Sequence, residues 1–105
     1  MYKLTEYIGD YPLEGQEYWG QTFEHLSVAM MAGTMKYIES KDSSHDKGVE
    51  LDPDYYVLIE SYENGADIGT PIYAFTAFGE LKNSKLDDFL FKYEGEYDEA
   101  NMRQV

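Results

Sequence analysis

The sequence has no cysteine, which excludes a disulfide framework, a thiolate nucleophile and a thiolate-held metal, and fits a reducing compartment. It is also poor in base. Of its eight Lys and Arg residues, only Lys3 precedes Lys36, and none lies between Gly48 and Leu81. Direct nucleic-acid binding needs such groups at the phosphates, so this balance runs against it. No apolar run approaches the ~18 residues that a membrane span requires. The opening stretch "MYKLTEYIGDY" has neither a basic n-region nor an apolar h-region. The expectation is a soluble, cytoplasmic protein, in the host cytoplasm if the source is a phage.

Motifs for chemistry are missing as well. His25 and His45 are the only histidines and show no metal-ligand spacing. Residues 52 to 63 begin like a calcium loop with Asp52 and Asp54, but Tyr56 stands where a third ligand belongs and Val57 where the turn needs glycine. "SSHD", residues 43 to 46, places Ser, His and Asp side by side, whereas a catalytic triad is a spatial arrangement. Neither G-x-G-x-x-G nor G-x-x-x-x-G-K-[ST] occurs. Some carboxylate pair must be close among so many acids, so proximity alone says nothing of acid/base catalysis. The expectation is a non-enzyme with no catalytic, cofactor or metal residues.

What the chain does have is acid and aromatics. Twenty-one Asp and Glu give 105 residues a formal charge of −13, beyond the magnitude of about 2 to 8 that suffices for solubility in a small domain. Self-repulsion on this scale costs stability. Eleven Tyr, five Phe and one Trp within a 43% apolar composition supply core material and argue against disorder. The length fits one domain, read as 1–95, followed by an acidic tail at 96–105.

Residues 2 to 8, "YKLTEYI", alternate Tyr2, Leu4, Glu6 and Ile8 against Lys3, Thr5 and Tyr7 and predict a strand. Residues 9 to 21 read as a loop tied down by Tyr18 and Trp19. Thr22 is a plausible N-cap for a helix carrying Phe23, Leu26 and Met30 towards Gly33. Beyond Gly33 two readings stand: one helix to about residue 40, or Gly33 as the helix stop and "TMKYIES" as a strand. The strand has a slight edge, because Gly33 and Thr34 are poor helix-interior residues. Residues 39 to 48 then form a polar loop.

"YYVLIES", apolar on both faces at its centre, predicts an internal strand. Asn64-Gly65 signals a hairpin, with residues 71 to 79 returning. Ser84, three residues before Asp87, opens a helix bearing Leu86, Phe89, Leu90 and Tyr93, with Gly95 as its stop. The fold class is α+β: a small antiparallel sheet of three to four strands, in the order β-α-β-β-β-α or β-α-β-β-α, with two helices packed on it.

Acid can serve by engaging a protein that itself binds nucleic acid, because a groove lined with Arg and Lys accepts any rigid body presenting carboxylates. The candidate contact residues are Glu50, Asp52, Asp54, Glu60, Glu63 and Asp67, with Tyr56 and Tyr62 as aromatic anchors and Glu94, Glu96, Asp98 and Glu99 towards the C-terminus. If Asp52 and Asp54 lie in extended strand, their i, i+2 spacing of about 6.6 to 6.8 Å is close to that of successive phosphates. In size, absence of cysteine, charge and α+β pattern the chain resembles the small acidic inhibitors that phages and mobile elements direct at host nucleases: anti-CRISPR, antirestriction and glycosylase-inhibitor proteins, some of them DNA mimics. The resemblance implies a partner such as a CRISPR effector or restriction nuclease, blocked by mimicry or by steric occlusion. An immunity protein for a basic nuclease toxin, or an acidic adaptor in phage assembly or replication, would share the same composition.

Overall fold

The structure, a computed structural model, describes residues 1–13, 21–63 and 68–103, and the side chains only as far as Tyr93 in the last segment. Its elements are β1 (Tyr2–Ile8), β2 (Tyr11–Pro12), β3 (Gln21–Phe23), α1 (Leu26–Asp46), β4 (Tyr55–Ser61), β5 (Thr70–Thr76), β6 (Gly79–Leu81) and α2 (Asn83–Arg103). The six strands form one antiparallel sheet in the order β2-β1-β4-β5-β6, with β3 pairing β1 along the edge that β2 also uses. The architecture is therefore α+β.

The strand count exceeds the three to four expected from sequence, because three short pieces join the long strands. β2 comes from the stretch read as loop, β3 joins that loop's last residue to Thr22 and Phe23, read as the start of a helix, and β6 follows a break in the predicted strand 71–79. There the Thr76 hydroxyl accepts from the Phe78 amide (3.0 Å) and donates to the Gly79 carbonyl (2.9 Å), and Gly79 takes a φ of +103°. Tyr18 and Trp19, and the Asn64-Gly65 turn, lie outside the described residues. β4 and β5 do pair antiparallel, with a register shift between Ile59 and Glu60 opposite Pro71, a place that tolerates its missing donor.

β4 is internal and apolar on both faces, and each face takes one helix. On one face Leu4, Tyr55, Val57, Ile59 and Phe75 pack with Ala29 of α1, joined by Met30 and Tyr37. On the other, Tyr56, Leu58 and Ala74 pack with Leu86, Phe89 and Tyr93 of α2. Among the described residues no helix is long and apolar enough to cross a membrane.

Three helix boundaries differ from the sequence reading. Residues 34–40 are helix, not strand, and α1 continues through the predicted polar loop to Asp46. Gly33 is not a stop: it is buried in the helix, where a Cβ would sit 2.4 Å from the Phe75 ring, so its missing side chain lets α1 lie against the sheet. The stop is Gly48, at φ +73°, which donates its N–H to the His45 carbonyl (2.9 Å) while Val49 donates to Ser44 (3.0 Å), the paired bonds of a Schellman cap. Thr22 lies in β3, and the residue before the helix is His25, whose side chain makes no capping bond. α2 runs through Gly95 to Arg103, where the sequence suggested a tail.

Candidate functional site

α1 begins beside the Tyr2 end of β1, since β3 pairs Tyr2 with Phe23, and it descends until the Ser40 hydroxyl meets Tyr55 at 2.9 Å. α2 descends on the opposite face until the Tyr93 hydroxyl donates to Asp54 at 3.1 Å. Both helices thus point their C-termini at the same end of the sheet, where Ile8 pairs Tyr55 and the Gly9-Asp10 turn lies beside the approach to β4.

To this end the fold brings Asp10 from the β1–β2 turn, Asp46 from the last turn of α1, and Glu50, Asp52 and Asp54 from the segment entering β4. Asp10, Asp46, Glu50 and Asp52 are exposed, and Asp54 is half-buried. Bases lie nearby too: Lys36 and Lys47 line a cleft that reaches Leu51 and Tyr55, and Lys92 lies 5.5 Å over the Tyr93 ring. Beyond Tyr93 the α2 backbone carries the sequence positions Glu94, Glu96, Asp98 and Glu99, whose side chains lie outside the described residues. We call this end the acid pole.

The pole is held by short-range bonds. Asp52 Oδ1 accepts from the Asp54 amide (2.9 Å), and the Asp52 carbonyl accepts from the Tyr55 amide (3.0 Å), so the two acids sit in a turn. This corrects the strand expectation, and with it the i, i+2 match to phosphate spacing: Asp52 and Asp54 are not on one pleated face. The Gly9 amide donates to the Asp54 carbonyl at 2.9 Å, and the Tyr56 hydroxyl donates to the Gly9 carbonyl at 2.8 Å. Behind them Tyr7, Tyr56 and Tyr93 stack at centroid separations of 5.3 and 5.9 Å, with Phe89 set edgewise against Tyr56 at 5.1 Å. Burial pushes the Tyr56 phenol well above its ordinary range, with neighbouring Tyr7, Tyr93, Asp10 and Glu60 adding to the effect.

The remaining sequence candidates fall elsewhere. Tyr56 is a core residue, 3% exposed, and anchors no partner from the surface. Glu63 follows the far end of β4, a strand that alone spans about 20 Å between its two ends. Tyr62 is half-buried at that same far end, against Gly69, and Asp67 lies outside the described residues. Glu60 sits within the sheet opposite Lys3. Desolvation raises its carboxyl above the ordinary range, and Lys3 offsets only part of this. A charge held partly out of water costs stability while it is ionised. Glu60→Gln is therefore expected to raise the urea midpoint at neutral pH. That gain should shrink as pH falls through the raised Glu60 titration, where the native side chain becomes neutral too. A lower midpoint at neutral pH would show that the attraction of Lys3 outweighs desolvation.

One feature escaped the sequence reading. Glu6, 7% exposed, accepts a 2.6 Å hydrogen bond from the Tyr55 hydroxyl, which also meets Ser40. These three groups lie in a cleft of about 490 Å³ between α1, β1 and the segment before β4, with Lys36 and Lys47 among its walls. The signal was present in the alternation, because Glu6 shares the face of Tyr2, Leu4 and Ile8, and an acid buried on such a face must be hydrogen-bonded. Among the described residues no group of three His, Cys, Asp or Glu could hold a metal ion.

No family model, curated protein or solved structure matches the chain.

Proposed function

We propose that the chain is a non-enzymatic inhibitor that docks its acid pole into the cationic nucleic-acid-binding groove of a nuclease, as a phage-borne anti-CRISPR or antirestriction protein would. One observation carries this reading. Asp10, Asp46, Glu50, Asp52 and Asp54, scattered in sequence, meet at the end to which both helices direct their C-termini. The turn that holds Asp52 and Asp54 is braced by the Tyr93 and Gly9 bonds, so little ordering entropy remains to be lost on binding. An Arg- and Lys-lined groove supplies the complementary field, and electrostatic steering speeds the encounter.

The test is displacement of labelled duplex DNA from CRISPR effectors and restriction nucleases, alongside their cleavage activity. Inhibition should appear with no covalent change to either partner. It should weaken by about tenfold between about 50 and about 200 mM salt, as charge-driven binding to such grooves does. Inhibition indifferent to salt would contradict an electrostatic mode of action. Selective protection against a basic nuclease toxin, with no effect on CRISPR or restriction enzymes, would point instead to an immunity protein.

A further inference from the structure

α1 is apolar on both sides. Its inner line, Ala29, Gly33 and Tyr37, meets the sheet, while Val28, Met31, Met35 and Ile38 on the outer line are 46, 66, 61 and 50% exposed. At 100° per residue these four lie directly opposite the buried line and form one stripe. Their bare surface is roughly 400 Å², within the range of the largest patches that monomers leave exposed. In a chain of charge −13, the segment from His25 to Ile38 contains no acid and only Lys36 as base. Along this stretch of α1 two copies could meet without opposing carboxylates.

We propose that this stripe is the interface of a two-fold dimer in which two copies of α1 pack antiparallel. The spacing 28, 31, 35, 38 is symmetric about position 33, so an antiparallel copy sets Val28 against the partner copy's Ile38 and Met31 against its Met35. These are the alternating layers of a coiled-coil seam. The flanks then pair Ser27 with Lys41, Thr34 with Thr34, Ala32 with Ala32 and Glu39 with His25 across the axis, and like charges, Asp42 and the partner copy's Glu24, meet only one layer beyond the seam. Adding these flanks to the stripe from both copies brings the buried area to roughly the 1,200 Å² at which specific interfaces begin.

Direction follows from charge. α1 ends at the acid pole, so a parallel pair would bring two poles together, whereas an antiparallel pair sends the poles to opposite ends. The dimer would present two acid poles and could bridge two basic partners. The dimer itself does not depend on the inhibitor reading.

Light scattering on the intact chain tests it. A mass rising with concentration from 12.2 kDa towards twice that value is expected. The dimer fraction should be greater at about 1 M than at about 0.1 M salt, because screening lowers the mutual repulsion of the copies while the apolar seam persists. The Met31→Glu/Met35→Glu double variant should stay monomeric with an unchanged circular dichroism spectrum. Since the chain has no cysteine of its own, Val28→Cys and Ile38→Cys should form a disulfide when mixed and oxidised, and neither should crosslink with itself. A monomer at every concentration, a dimer untouched by the double variant, or self-crosslinking of Val28→Cys would each overturn the proposal.

Discussion

Replacing Gly33 with leucine is expected to destabilise the domain by about 3 kcal/mol, a large share of the roughly 5 to 15 kcal/mol that hold such a fold together. A Cβ at this position would stand 2.4 Å from Phe75 Cε2 and 3.0 Å from its Cδ2. The ring has little room to withdraw, because Phe75 is 4% exposed and rests against Tyr73 at a centroid distance of 5.2 Å. Leucine adds three further carbons beyond that Cβ, so α1 must lift from the sheet and open the layer of Leu4, Val57 and Ile59. Alanine is the informative control. Its better helix propensity returns up to about 1 kcal/mol, so Gly33→Ala should lose far less than the leucine variant. Thermal melts read both, with a fall of about 15 °C expected for leucine. A leucine variant as stable as the parent would mean that α1 does not approach Phe75 this closely.

Raising the pH above 10 is expected to unfold the protein. Burial pushes the Tyr55 and Tyr56 phenols far above their ordinary value of 10.0, and it pushes Tyr7 up to about 12, with Glu60 and Tyr62 as further contributors. The Tyr55 phenol also donates to Glu6, a bond that a phenolate would lose. In the unfolded chain these tyrosines release their protons near pH 10, while in the folded chain they hold them. Their stabilisation is complete below pH 10 and is lost as pH rises from there through the folded-state values. Each phenol contributes a slope of about 1.4 kcal/mol per pH unit, so Tyr55 and Tyr56 together remove about 3 kcal/mol per unit, with a smaller share from half-buried Tyr7. Urea unfolding at pH 9, 10 and 11, followed with tyrosinate absorbance, should show a flat midpoint up to pH 10 and a steep fall beyond it. A midpoint unchanged to pH 11 would mean that these hydroxyls are hydrated rather than buried.

Much of this architecture could be read from the residues. Alternation in 2–8 and the doubly apolar run 55–61 identified the two central strands, and Leu86, Phe89 and Tyr93 identified the face of α2. The sequence misled where a local rule competed with packing. Gly33 and Gly48 are both legitimate helix stops, and only contact with Phe75 decides that the first is spent on close approach and the second on the cap. β2, β3 and β6 are too short for periodicity to register, and they exist because longer neighbours offer them unpaired edges. The acidic run 48–81 was visible as composition, but its division was not. β4 carries Glu63 away from Asp54, while the β1–β2 turn brings in Asp10 and the direction of α1 brings in Asp46, which no linear scan groups with Glu50 and Asp52. Tyr56 looked like a surface anchor because tyrosine is common in interfaces, yet its place on the internal strand, under Phe89 and Tyr93 of α2, commits it to the core.

The most direct measurement compares charge reversal at the two ends of the molecule in the DNA-displacement assay against a nuclease that the native chain inhibits. Glu50→Lys/Asp52→Lys alters the acid pole, and Glu24→Lys/Glu63→Lys changes net charge equally at the far end. The first pair should raise the concentration needed for displacement by at least tenfold, as loss of close charge pairs in such an interface does. The second should shift it by no more than a few-fold through long-range steering. Equal losses from both pairs, or no loss from the first, would contradict the assignment of binding to the acid pole.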